Sequence, residues 1–161
     1  MEVTVGVLYD YFRIRDDKAA VALMEETDGG PVVQHGDEPV VDAVDAKGID
    51  PGVLLGQLVA LAAQVEWTPK LVNDELVWPA GARDDMEYQG PWLTRLGDPA
   101  RDTLAGVADE SMGDLAAAWA QAEEFYSGTE AEELQPVVAD LVGLARRARE
   151  AGDHLYCWMC L

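Results

Sequence analysis

The segment that most restricts how this chain can fold is its last one, "HLYCWMCL", residues 154–161. Drawn as a strand, it sends His154, Tyr156, Trp158 and Cys160 to one side, and Leu155, Cys157, Met159 and Leu161 to the other. Both faces are largely apolar, which places the strand inside a sheet covered on two sides. The beginning of the chain has the same character. Residues 3–14, "VTVGVLYDYFRI", are β-branched and aromatic, with Val3, Val5, Val7, Tyr9 and Tyr11 on one face and Thr4, Gly6, Leu8, Asp10 and Phe12 on the other. Two such strands at opposite ends, with helical patterns between them, predict an α+β fold: one domain over residues 1–161, with a mixed sheet in which the first and last strands pair, packed with about five helices.

The helices carry their own start and stop signals. Asp16 or Asp17 caps a first helix with an apolar stripe of Ala20, Leu23 and Met24, ended by Gly29-Gly30. Residues 31–49 read as loop with short extended pieces around "PVVQ" and "PVVDAVDAKGI". Asp50-Pro51 then opens a helix to about Val65, apolar nearly all round apart from two glutamines, which predicts burial. Residues 66–97 are rich in proline, tryptophan and turn signals, with extended pieces "ELVW" and "PWLTRL". Asp98-Pro99 opens a short helix through about Val107. A further helix in "DESMGDLAAAWAQAEEFYSG" aligns Leu115, Trp119, Ala122 and Phe125 or Tyr126. The clearest amphipathic pattern is "TEAEELQPVVADLVGLARRAREAGD", where Leu134, Val137/Val138, Leu141, Leu144/Ala145 and Ala148 recur. Glu130, Glu132 and Glu133 stand at its positive end, Arg146, Arg147 and Arg149 at its negative end, and Gly152 stops it.

Charge narrows the function classes. With 31 acidic and 11 basic residues the formal net charge is -20. That balance excludes binding to nucleic acid or an anionic membrane surface, both of which need clustered Lys and Arg. The acids either keep the chain soluble or meet a basic protein or peptide, through clusters such as Asp84/Asp85/Glu87 or Glu130/Glu132/Glu133. The acidic start lacks the features of a secretory signal, and no run reaches the ~20 apolar residues of a spanning helix. Two cysteines at the extreme end make no stapled secreted module. A cytoplasmic protein is expected.

The sites on offer are few. The C-x-x-C of Cys157 and Cys160 suits redox or zinc chemistry by spacing alone. On a strand, however, the thiols point to opposite faces with Cα atoms about 10 Å apart, beyond disulfide reach. Packing is the expected role; a metal or redox role for the C-x-x-C, or a metal site using His154 and Cys160 on one strand face, is a weaker alternative, since the one other preferred ligand, His35, is distant in the chain. Asp10 interrupts an apolar strand and must find a partner or shift its pKa. It is the first candidate for a catalytic acid, with Lys47 or His154 nearby, against a structural pairing with Arg13, Arg15 or Lys47. Lys47 can hold an anion at the helix start or simply offset Asp42 and Asp45. Trp67, Trp78, Tyr88 and Trp92 either line a ligand groove or anchor their loops to the core. No Walker loop, H-E-x-x-H, G-x-S-x-G or calcium loop is present, and no cofactor is expected. A non-catalytic binding domain for a basic partner is therefore expected; the alternative is an enzyme or small-ligand binder with a pocket around Asp10 and the tryptophan loops.

Several stretches in order, "YDYFRIRDD", "KGID" before an apolar helix, "GPWLT", and "LARRAREAG" followed by "HLYCW", resemble the YfbM-like family of small bacterial α+β proteins of uncharacterised function. The resemblance spans most of the chain and implies the fold. It implies no activity and no site residues. The cysteine-bearing terminus and the proline-rich middle depart from the family's usual look.

Overall fold

Strands from the two ends of the chain lie side by side. In the computed structural model, which describes residues 8–32, 41–123, 125 and 129–161, β1 (Leu8–Ile14) pairs antiparallel with β5 (His154–Cys160) along its full length, from Leu8 opposite Cys160 to Ile14 opposite His154. The short β2 (Ala43–Asp45) adds outside β1, and β3 (Glu75–Trp78) and β4 (Trp92–Arg95) extend the other side, in the order β2-β1-β5-β4-β3. Every one of these pairings is antiparallel, where a mixed sheet was expected. Val3, Val5 and Val7 of the expected first strand, Val33 and Gln34 of "PVVQ", His35 and Tyr126 lie outside the described residues.

Five α-helices occur among the described residues: α1 (Asp17–Glu26), α2 (Leu54–Ala63), α3 (Asp98–Ala105), α4 (Met112–Trp119) and α5 (Ala131–Ala151). They cover the sheet unequally. Ala20, Leu23 and Met24 of α1 pack on Phe12, Leu93, Tyr156 and Trp158, which share one sheet face. Tyr11, Leu155 and Cys157 face the opposite way, into a larger core built from α2, α3, α4 and α5. The alternation of β1 and β5 thus sorts their side chains into two cores, which is why both faces had to be apolar.

Local chemistry fixes where the helices begin and end. The Asp16 carboxylate accepts the Ala19 N–H at 2.8 Å. Asp50 accepts from Val53 at 2.7 Å and Leu54 at 3.0 Å, so it caps α2 as expected, although a turn at residues 51–53 delays the regular helix to Leu54. The buried stripe of α5 runs Leu134, Val138, Leu141, Leu144, Ala145 and Ala148, closed by Gly152 in the left-handed conformation at φ 74°. α4 is shorter than its apolar pattern. Beyond Trp119 the backbone turns tighten, with Gln121, Ala122 and Phe125 donating to the carbonyls three residues earlier. Among the described residues no helix is long and apolar enough to cross a membrane.

Candidate functional site

α2 is the helix whose surroundings differ from expectation. Leu54, Leu55, Leu58 and Val59 are buried, but Leu61 is 40% exposed and Val65, just past the helix end, is 52% exposed. Gln57, Ala60, Leu61, Gln64 and Val65 fall at i, i+3, i+4, i+7 and i+8, one stripe along the outer side of the helix. Leu115, Ala118, Trp119 and Ala122 repeat the same spacing on the α4 segment. The two stripes face a common groove of about 570 Å³. It continues past Leu61, Gln64 and Ala118 into a second hollow of about 440 Å³ beside Val107, Ala108 and Asp114.

Three tryptophan and arginine contacts set its shape. Trp119 is fully buried beneath the groove, its indole N–H donating to the Leu54 carbonyl at 2.9 Å and its ring meeting Phe125 edge-on at 5.1 Å. Trp67 forms one wall, donating to the Gly52 carbonyl at 3.0 Å. The indole can lie there because residue 56 is glycine: a Cβ would stand 2.7 Å from Trp67 Nε1. At the other end Arg146 donates to the carbonyls of Ala105 and Val107 and pairs with Asp109 at 2.7 Å, pinning the link into α4.

The charge at the groove is acidic. Among the described residues, Asp114 is the one charged residue lining it, and no lysine or arginine does. Glu66 lies between Val65 and Trp67, and Glu123 follows Ala122; both are exposed, as is Lys70 three residues beyond Trp67. The acid clusters Asp84/Asp85/Glu87, around the almost fully exposed Met86, and Glu130/Glu132/Glu133 are exposed as well.

The candidates named from sequence are spread over the molecule. Asp10 is buried on the α1 side of the sheet, opposite Trp158 in register, and its carboxylate accepts the Val32 N–H at 3.3 Å. Trp158 donates to the Gly29 carbonyl at 2.7 Å, so the stretch 29–32 closes over this corner. Lys47 is exposed in the turn after β2, its backbone N–H bonded to Asp45. His154 is opposite Ile14, about 13 Å along β1 from Asp10. Its Nδ1 lies 2.7 Å from Asp98 at the start of α3, and Arg101 approaches the same oxygen at 3.6 Å. Burial pushes the Asp98 carboxyl up, but the His154 hydrogen bond and the charges of His154, Arg101 and Arg95 outweigh it and hold the pKa below the usual range.

The aromatic residues form no single groove. Trp78 packs with the α1-side core, while Tyr88 and Trp92 meet edge-on at 5.6 Å, with the Tyr88 hydroxyl donating to the Pro91 carbonyl at 2.7 Å. These three hold the loop at residues 79–91 against β3 and β4. Trp67 alone borders the groove.

No family model, curated protein or solved structure matches this chain.

The cysteines stand where strand alternation puts them. Both are free; Cys157 is fully buried, and burial pushes its thiol well up. His154 and Cys160, six strand residues apart, stand about 20 Å from one another. Among the described residues no group of three or more His, Cys, Asp or Glu is placed to hold a metal ion. The groove itself was missed from sequence. Its one signal was Gln57 and Gln64, seven apart on the outer stripe of an otherwise apolar helix.

Proposed function

We infer that the chain is a non-catalytic binding domain of the bacterial cytoplasm whose partner is a protein or peptide with a basic surface. The observation that carries this is the α2–α4 groove: an open apolar surface, lined by Asp114 and adjoined in sequence by the exposed Glu66 and Glu123, on a molecule of net charge -20. Apolar area supplies affinity, while the acids select the sign of the partner and speed its approach. Supporting the same conclusion, Asp10 buried on β1, Lys47 exposed in the turn after β2 and His154 at the start of β5 stand apart and do not converge on one reacting atom. We also hold kinship with the YfbM-like family as a proposal, resting on the order of the quoted motifs.

The test is binding of a labelled oligolysine peptide, followed by fluorescence anisotropy from about 50 mM to about 500 mM salt, where screening shortens from roughly 14 to 4 Å. Saturable binding that weakens with salt is expected. Absence of binding at the lowest salt, or binding indifferent to salt, would overturn the proposal.

A further inference from the structure

The geometry points to a specific occupant: the α2–α4 groove docks one amphipathic helix of a partner, with its apolar stripe on Leu61, Val65 and Ala118 and its Lys or Arg residues against Asp114, Glu66 and Glu123. This deepens the binding reading above and rests on it.

Shape comes first. The groove walls are two helical stripes, Gln57 to Val65 and Asp114 to Ala122, each about 12 Å long, just over two helical turns. Ala60, Ala118 and Ala122 lie along them. Such small residues let a third helix come within the 8–10 Å interaxial distance of packed helices. An extended peptide would bring unpaired N–H and C=O groups against apolar side chains, at a cost for each one left unbonded. A helix arrives with its backbone already satisfied, which makes helix-in-groove docking the fitting mode.

Charge then chooses among helices. Asp114 lines the groove, the exposed Glu66 and Glu123 adjoin its lining residues in sequence, and lysine or arginine stems can lie along the apolar walls while their heads reach for carboxylates. A second copy of this chain is a poor occupant, because two molecules of charge -20 repel.

The probe is a synthetic peptide of about 14 residues built from Leu and Lys with its leucines at helical spacing, alongside a scrambled peptide of the same composition. Isothermal titration with the full chain should show one-to-one binding of the patterned peptide, at least ~10-fold tighter than the scrambled one, with helical circular dichroism appearing on mixing. Leu61→Glu and Ala118→Arg, both at exposed positions, should each weaken binding about 10-fold or more, an effect near 1.4 kcal/mol. Glu25→Lys, at an exposed position of α1 across the sheet from the groove, should leave it within about twofold.

Equal binding of the two peptides, unmoved by Leu61→Glu and Ala118→Arg, would overturn helix docking while leaving a basic partner in place. Failure of both peptides to bind would overturn both. A dimer in sedimentation that Leu61→Glu dissociates would assign the groove to a second copy and also overturn the inference.

Discussion

The indole N–H of Trp119 and the carbonyl of Leu54, 65 residues apart in sequence, are joined by a buried hydrogen bond of 2.9 Å. It ties the end of α4 to the first turn of α2 and so fixes the spacing of the two helices that wall the groove. Trp119→Phe keeps an aromatic ring but removes the donor and some volume. We expect a loss of about 1–3 kcal/mol in urea unfolding. A loss under about 0.5 kcal/mol would show that the tie does not hold the helices together.

Asp42 holds two guanidinium groups at once. Its carboxylate pairs with Arg147 through bonds of 2.7 and 3.0 Å and with Arg13 at 2.6 Å, joining α5, β1 and the approach to β2. The Arg147 hydrogen bonds, with the one from Arg13 and both charges, outweigh burial and hold the Asp42 carboxyl below its usual range. A group whose folded pKa is depressed contributes stability above its unfolded pKa and loses it as pH falls through the folded value. Asp42→Ala should therefore cost about 1 kcal/mol at neutral pH, a modest figure because all three side chains are partly exposed. The gap between variant and parent should close between about pH 5 and pH 2 in unfolding curves. A gap constant with pH would exclude the ion pairs as its source.

Gly30 is required by its neighbour. Its φ is +85°, and a Cβ there would lie 2.4 Å from Nε1 of the buried Trp158 indole. Gly30→Ala meets both backbone strain and a ring that has little room to move, so a loss of about 2–4 kcal/mol is expected in the same assay. A neutral substitution would mean that the 29–32 segment does not close over Asp10 as described.

The two thiols should behave differently. Cys157 is fully buried, with its thiol pushed up by burial, while Cys160 is partly exposed at the end of β5. A thiol reagent should modify Cys160 in the native protein and reach Cys157 only on unfolding. Mild oxidation should yield no intrachain disulfide, since the sulfurs leave opposite faces of one strand. Equal native rates, or a disulfide, would contradict the strand assignment.

Much of the fold was legible because its signals are local and periodic. Alternation separated Tyr11 from Phe12 in β1 and Cys157 from Tyr156 and Trp158 in β5, while the matching of faces across the two strands is set by their register. The caps, Asp16 of the pair Asp16/Asp17 and Asp50, follow from short polar side chains at helix starts. The groove was not legible for the opposite reason. Leu61 and Val65 carry the same chemistry as Leu58 and Val59, and only the placement of α4 against α2 determines which pair is covered. The separation of Trp67 from Trp78, Tyr88 and Trp92 is likewise a long-range fact, invisible in a stretch where all four look alike.

The most direct measurement is an assigned amide correlation spectrum of the chain titrated with the patterned Leu–Lys peptide. The account predicts the largest shifts at Leu61, Gln64, Val65, Ala118 and the indole N–H of Trp67, with β1 and β5 quiet. Shifts centred on Asp84, Asp85, Met86 and Glu87, or none anywhere, would contradict it.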